Sequence, residues 1–442
     1  MVDEIDTIAA IATPPGAGGV GVIRVSGPKA ESIAHAMMGR KPEPQKAIFS
    51  KFKDAEGIEI DHGLALFFQA PTSYTGECVL ELQGHGGAIV IQRLLKRVLE
   101  LGARPAKPGE FTERAFLNGK IDLLQAEAVA DLINSASEQA AKSAIRSLRG
   151  EFSRQIEGLK QEIVDLRKHV EAYLDFTEEE LEIPVSAFAN GLKKAIEINR
   201  SILGKAHQGA ILNEGYRITL VGEPNVGKSS LLNRLLLEER AIVTDIPGTT
   251  RDTLTERFLI EGVPFVVTDT AGLRQTQDPV ELEGINRTHK AIAQTDLVIV
   301  MSEYPDQGEI TLETDQVLYV INKIDRAPDL RPGVVEKARQ TLCYLSAKTG
   351  AGVEEFKQEL LRIAQSGMGS EGVYTARQRH LVALQQTAAF LDQAQQVSVN
   401  TNQMDLFAEN LRQAQESLSR ITGEFTTEDL LDEIFSGFCI GK

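Results

Sequence analysis

Basic residues are in deficit. Lys and Arg number 47 against 63 Asp and Glu, a net charge of −16 over 442 residues. That excludes a generally basic nucleic-acid coat but leaves room for a local basic surface. Cysteine is scarce: Cys78, Cys343 and Cys439 are far apart, odd in number and without CxxC spacing, which argues against a disulfide framework or a zinc site. Cys78 and Cys343 read as small core residues. No uninterrupted apolar run reaches the roughly 18 residues of a membrane span. The opening MVDEID lacks the basic-then-apolar pattern of a secretory signal. These absences predict a soluble, cytoplasmic protein in a reducing compartment, with no membrane partner. What is present is ordinary globular composition, 42% apolar and 25% charged, at a length that suits about two to four domains.

The chain changes character along its length. Residues 1–119 mix short β-like runs, VGVIRVSG (20–27), LALFF (64–68) and CVLELQGHGG (78–87), with a helix-like LLKRVLELG (94–102), an α+β pattern. From Lys120, Ile145, Leu148, Phe152, Ile156, Leu159, Ile163, Leu166, Val170 and Tyr173 recur at steps of three and four and predict one long helix. A second helix is expected over about 187–212, and the acidic run Asp175 to Glu182 reads as a solvated helix end. From 214 to 370 the pattern switches to strands YRITLVG, PFVVTDTAG, DLVIVM and VLYVINKID separated by helical segments, which predicts a parallel sheet with crossover helices. AQSGMGSEG (364–372) reads as a linker, and 371–442 return to helix. The expected architecture is multidomain α+β and α/β: an N-terminal domain (1–119), a helical domain in two parts (120–213 and 371–442), and an α/β domain (214–370) inserted between them.

The strongest motif is Gly222-Glu-Pro-Asn-Val-Gly227-Lys228-Ser229, following a strand and opening the helix SLLNRLLL. Glycines let backbone N–H groups face phosphates, and a helix N-terminus favours negative charge. Lys228 would neutralise the β and γ phosphates and Ser229 would ligate magnesium. Thr244-Asp-Ile-Pro-Gly-Thr-Thr-Arg-Asp252 suits a mobile loop in which Thr250 would complete the magnesium shell. Asp269-Thr-Ala-Gly272 and Asn322-Lys-Ile-Asp325 follow strands. The Asp325 carboxylate would accept two N–H donors of a guanine edge, which adenine does not offer in that arrangement. Ser346-Ala-Lys348 would close over the base. The nucleotide-binding set is therefore Asn225, Val226, Gly227, Lys228, Ser229 and Ser230; Thr244, Asp245, Ile246, Pro247, Gly248, Thr249 and Thr250; Asp269, Thr270, Ala271 and Gly272; Asn322, Lys323 and Asp325; and Ser346, Ala347 and Lys348. In this order they point to a GTP-binding domain, a Ras-like P-loop GTPase fold inserted over 214–370. Leu273 stands where many switch GTPases carry a water-orienting Gln. Hydrolysis then needs another group, for which the loop offers Asp278, Glu281 and Glu283.

These motifs, with TPPGAGGVGVIRVSG, GECVLELQGHGG, PGEFTERAFLNGKIDLLQAEAVADLI and the terminal Phe438-Cys-Ile-Gly-Lys442, make the chain similar to the tRNA modification GTPase family (MnmE, also TrmE) over essentially its whole length. The resemblance implies a potassium-dependent GTPase acting on the tRNA wobble uridine. It implies Asn225, Thr244, Ile246 and Thr249 as K+ ligands, Ser229 and Thr250 on Mg2+, and Glu281 as the catalytic carboxylate. Pro247 departs from the Ala of other members and stiffens that loop. The resemblance further implies an N-terminal tetrahydrofolate-binding-like domain that dimerises and holds a 5-formyl or 5,10-methylene derivative through Arg24, Glu81, Lys120 and Lys442. The residues alone would make Arg24 and Glu81 an internal ion pair. Cys439 is implied as an acid–base or nucleophilic participant, since Cys-Ile-Gly-Lys is a poor prenylation box; a packing role stays open. His85 reads as structural. The implied partners are a second copy in a homodimer, the flavin-dependent tRNA modification protein MnmG (GidA) in a heterotetramer, and tRNA. The product is a (carboxymethyl)aminomethyl-type group on the uridine C5, with glycine or ammonium as nitrogen donor. The rival expectation is an Era-like ribosome-assembly GTPase, which would carry a KH-type appendage after the GTPase.

Overall fold

The computed structural model describes residues 6–175, 185–238, 255–268, 295–305, 316–327, 329–337, 340–365, 373–397, 403–424 and 428–441. The chain divides into two compact units, Met1–Ala130 with Ser419–Lys442, and Asp131–Leu418.

The first unit contains β1 (Ile8–Ile11), β2 (Gly18–Ser26), α1 (Ala30–Met38), β3 (Ile48–Lys53), β4 (Glu59–Phe68), β5 (Val79–Gly86), α2 (Ala88–Glu100), β6 (Arg104–Pro105), α3 (Glu110–Leu117) and most of α4 (Leu123–Ile133). Its sheet runs β3-β4-β5-β2-β1-β6, with only the β1/β6 pair parallel. Strand alternation makes the two faces different. Ile23, Val25, Leu80 and Leu82 join Ile33 and Met37 of α1 and Leu94 and Val98 of α2 in one core. The alternate residues Arg24 and Glu81 fall on the other face, paired across β2 and β5. A smaller core gathers Leu123 and Ala126 of α4 with Ile434, Phe435 and Phe438 at the C-terminal end of the chain.

The PGEFTERA stretch has a structural account. It places Glu110 and Arg114 on α3, one turn apart, in a charge network. Arg104 reaches Glu110 at 2.5 Å, and Arg114 reaches Asp6 at 2.5 Å, Glu110 at 3.0 Å and Glu77 at 3.2 Å. Burial pushes the Glu110 carboxyl up. Hydrogen bonds from Arg104, the Lys107 amide and Arg114 outweigh it and hold the group below the usual carboxylate range.

In the second unit the single long helix expected from Ile145 to Tyr173 is two: α5 (Glu138–Leu148) and α6 (Glu151–Asp175). Gly150 breaks it by taking φ 74°, and its amide bonds the Ser147 carbonyl, the left-handed stop for which glycine is favoured. The apolar stripe survives from Phe152 to Val170, all buried, whereas Ile145 is 39% exposed. α7 (Val185–Glu214) packs against α6; the acidic run from Phe176 onward lies outside the described residues.

The phosphate-binding part comprises β7 (Tyr216–Gly222), α8 (Lys228–Glu238), β8 (Thr255–Ile260), β9 (Val263–Thr268), β10 (Leu297–Glu303), β11 (Val317–Asn322), β12 (Gly333–Lys337), β13 (Gln340–Tyr344) and α9 (Val353–Gln365). The seven strands run β12-β13-β11-β10-β7-β9-β8. The five central strands are parallel, as the sequence predicts, but both edges are antiparallel. One edge follows from a two-residue connection: Glu261 and Gly262 both have positive φ, 47° and 81°, as a tight hairpin turn requires. Three helices, α10 (Gln378–Gln396), α11 (Met404–Thr422) and α12 (Glu428–Ser436), make up most of the described residues beyond 373. They take the place of the KH-type fold that the Era-like alternative would need. Among the described residues no helix is long and apolar enough to cross a membrane.

Candidate functional site

The described nucleotide motifs, at 222–230, 322–325 and 346–348, gather at the carboxyl ends of the parallel strands, where open α/β sheets bind ligands. β7 ends at Gly222, the loop reaches Asn225 with φ 68°, and α8 begins at Lys228. The Lys228 ammonium, buried in this loop, donates to the carbonyls of Gly222 at 2.5 Å and Glu223 at 2.8 Å. Ser229 and Ser230 are exposed on the first turn of α8. This is the geometry of a phosphate cradle with a hydroxyl at its rim.

Asn322 ties three motifs into one body. It is buried at the end of β11. Its Nδ2 donates to the Val226 carbonyl at 2.7 Å, and its Oδ1 accepts from the Ala347 amide at 2.9 Å. Gly227 is required here: φ is 103°, and a Cβ would stand 2.2 Å from Asn322 Nδ2. Lys323 adopts a left-handed conformation, φ 63°, which turns the chain so that Asp325 is exposed. Ser346 donates its hydroxyl to Asp325 Oδ1 at 2.6 Å, and that bond holds the carboxyl below the usual range. The carboxylate is thus oriented and kept ionised. Thr349 returns its amide to the Ser346 hydroxyl at 3.2 Å.

Two positioning residues escape motif reading. Arg234, on α8, donates to the Ala347 carbonyl at 2.8 Å and the Lys348 carbonyl at 2.9 Å, so the phosphate helix also braces the loop expected to cover the base. Glu303, at the end of β10, accepts from both Lys323 and Arg326. The one available signal is a charge inside the apolar run LLNRLLL. Thr244, Asp245, Ile246, Pro247, Gly248, Thr249, Thr250, Asp269, Thr270, Ala271, Gly272 and the carboxylates Asp278, Glu281 and Glu283 lie outside the described residues.

The second candidate site is on the face of the first unit's sheet opposite α1 and α2. Arg24 Nε and NH2 both reach Glu81 Oε1 at 3.0 Å, and Arg24 NH1 donates to the Gly441 carbonyl at 3.2 Å. The guanidinium carbon lies 5.7 Å from the centre of the Phe111 ring, within cation–π range. The internal ion pair read from the residues alone therefore exists, and the C-terminal tail lies against it. That tail is anchored by the Cys439 carbonyl to the Gly109 amide at 3.4 Å and by a bridge between Ile440 and Pro108. Cys439 is exposed. Lys120 donates to the Pro71 carbonyl at 3.0 Å rather than to a residue of the pair; Lys442 lies outside the described residues. Beside Arg24, Tyr74 shares a hydrogen bond of 2.9 Å with Thr112, and burial raises its phenol. A separate cavity of about 420 Å³ is lined by Thr13–Gly18 and the start of α2; neither Arg24 nor Glu81 lines it.

Comparison with known proteins covers both parts of the chain. The GTP-binding protein TrmE N-terminus model matches residues 7–120, and the MnmE helical domain model matches residues 123–439. A curated relative from Methylococcus capsulatus, named tRNA modification GTPase MnmE, is 48% identical over 99% of this chain and 99% of its own. One of the same name from Neisseria meningitidis serogroup B is 50% identical over 100% of both. Among solved structures, the G domain of the T. maritima FeoB iron transporter aligns at 24% identity with 34% of this chain and 99% of its own, at a TM-score of 0.24, too low to bear on the fold. With two family models spanning the chain and full-length relatives at about half identity, this chain belongs to the MnmE family of tRNA modification GTPases.

Proposed function

We propose that the chain is a potassium-dependent GTPase. Together with a flavin-dependent partner of the MnmG type, it would add a (carboxymethyl)aminomethyl-type group to C5 of the tRNA wobble uridine, drawing one carbon from a tetrahydrofolate derivative. The observation that carries the folate half is the meeting of Arg24, Glu81 and the tail at Gly441 on one sheet face. Arg24 fixes Glu81 in one orientation, suited to accepting the paired N–H groups of a pterin. Lys120 and Lys442 are the basic groups for the folate's carboxylates, and the exposed Tyr74 supplies apolar wall. A folate bound there would supply the one-carbon unit. Cys439, exposed beside this face, would be its acid–base or nucleophilic group.

In the GTPase half, Asn225 with Thr244, Ile246 and Thr249 would hold K+, and Ser229 with Thr250 would hold Mg2+; oxygen ligands suit both ions. Glu281 would order the attacking water, since Leu273 has no group to do so. The added cation would place positive charge against charge developing on the phosphates. The domain reading is a folate-binding segment 1–119, helical parts 120–213 and 371–442, and a GTPase segment 214–370. A homodimer is supported by apolar side chains left exposed on the first unit's sheet, Phe49 at 65% and Val20 at 60%, an arrangement typical of interaction surfaces. The low count of basic residues leaves much of the tRNA grip to the partner, in the cytoplasm.

The test is nucleoside mass spectrometry of bulk tRNA from cells with and without the gene. Aminomethyl-type uridines should vanish on deletion, return with the wild-type gene, and stay absent with Glu281→Ala. Unchanged uridines in the deletion strain, with no second gene copy, would end the proposal. In vitro, replacing K+ by Na+ should lower GTP turnover of the wild type with little change in nucleotide affinity.

A further inference from the structure

Near the β3–β4–β5 edge of the first unit's sheet, two histidines stand on neighbouring strands. His62 and His85 each lie two residues beyond the paired Leu64 and Gln83, and their rings meet edge to face with centroids 5.6 Å apart. Each ring is tied to a carboxylate through the same nitrogen. His85 Nδ1 lies 2.7 Å from Asp61 Oδ1, and the His85 amide donates to Asp61 Oδ2, also at 2.7 Å. His62 Nδ1 lies 3.0 Å from Glu59 Oε1, while Lys51 holds Glu59 Oε2 at 2.7 Å. Burial pushes the Asp61 carboxyl up, but the hydrogen bonds from the His85 amide and ring outweigh it and leave the group below the usual range.

An ionised carboxylate only accepts, so in each neutral ring the proton sits on Nδ1 and the lone pair on Nε2. Both rings keep at least half of their surface in solvent, 50% for His62 and 64% for His85. Carboxylates that fix the tautomer and orientation of an imidazole in this way are the usual support of metal-ligating histidines. The ring separation is close to what a shared ion needs, and from the edge-to-face arrangement one ring has to turn its Nε2 toward the other. With Zn–N bonds of about 2.0–2.1 Å in tetrahedral geometry, two imidazoles on one ion have ring centres roughly 5–5.5 Å apart. Among the described residues no group of three or more His, Cys, Asp or Glu is gathered for a metal, so the protein supplies two ligands and water the others.

We propose that His62 and His85 form a surface binding site for a borderline divalent transition metal, with zinc as its representative ion, held through both Nε2 atoms. Two protein ligands make it a weaker, exchangeable site than a four-ligand structural zinc centre. Imidazole donors also separate it from any magnesium requirement of the GTPase, because magnesium takes oxygen.

The experiment is a titration of the full-length protein with Zn2+ against a chromophoric chelator, in millimolar Mg2+. The expected result is one zinc per chain that Mg2+ does not displace. Uptake should be lost in His85→Asn and in His62→Asn, and weakened about 10-fold or more in Asp61→Asn. The thermal unfolding transition of the first unit checks that each variant is folded, and GTP turnover, which uses neither ring, should be unchanged. If His85→Asn fails that check, His62→Asn still decides, because its ring is half exposed. Absence of zinc uptake by the wild type would overturn the proposal. So would equal uptake by the wild type and the His62→Asn/His85→Asn double variant, since the ion would then sit elsewhere, for instance on the exposed Cys439 thiol.

Discussion

The two sheets build their sites in opposite ways. In the seven-stranded sheet the site lies at the strand ends: β7 delivers the phosphate loop, β11 delivers Asn322, and β13 is followed by Ser346. Each motif is a short contiguous string because each strand contributes one loop. In the six-stranded sheet the candidate site lies on a face, where Arg24 meets Glu81 from 57 residues away and Gly441 from 417 away. No contiguous string records such a site. A strand-end site is held from behind by backbone and buried amides, while a face site is held by side chains that solvent also reaches. Damage to the first should therefore spread to stability, and damage to the second should stay local.

The sharpest test of that contrast is Asn322→Ala. It leaves the Val226 carbonyl and the Ala347 amide without their buried partner, at about 1–3 kcal/mol for each group so exposed. It should lower the melting temperature and GTP affinity together, measured by calorimetry and nucleotide titration. Next comes Asp325→Asn, at an exposed carboxylate. GTP affinity should fall about 10–100-fold, xanthine nucleotides should compete, and the melting temperature should hardly move; equal indifference to both bases would undo the base-reading assignment. On the face, Arg24→Ala should weaken binding of 5-formyltetrahydrofolate about 10-fold, as expected for loss of one charge-assisted contact, with GTP turnover retained. Loss of GTP turnover as well would mean that the two sheets do not divide function in this way.

Two smaller effects sharpen the picture. The folded Glu110 carboxyl is lowered, so its contribution to stability is complete above its unfolded value of about 4.3 and is lost as pH falls through the folded one. Glu110→Gln should flatten the acid limb of the first unit's unfolding below about pH 4.3. Burial pushes the Cys343 thiol up to about 12, so at neutral pH a thiol reagent should label exposed Cys439 readily and Cys343 only after unfolding.

The same contrast explains what the sequence made legible. The phosphate loop, the NKID string and the parallel centre of the sheet follow from local spacing and β-branched runs. The antiparallel edge at β8 escaped because its signal is a single Glu261-Gly262 turn between two short strands. The expected long helix failed at Gly150: apolar periodicity runs through the break, since α5 and α6 both present apolar residues at helical spacing, and a glycine in mid-pattern weighs little beside nine matches. The Arg24–Glu81 ion pair was legible from the residues, whereas its reading as a ligand site came only from resemblance. Arg234 left no more trace than a charge inside the apolar run LLNRLLL, because its task is to bond two carbonyls more than a hundred residues away.

The bridge at Asn322 constrains how this domain can change over time. Any side chain at 227 would strike Asn322 Nδ2, and any replacement of Asn322 strips the carbonyl just before that glycine. A change at either position is therefore felt at the other, and the phosphate loop and the loop at Ala347 move as one through a single buried amide.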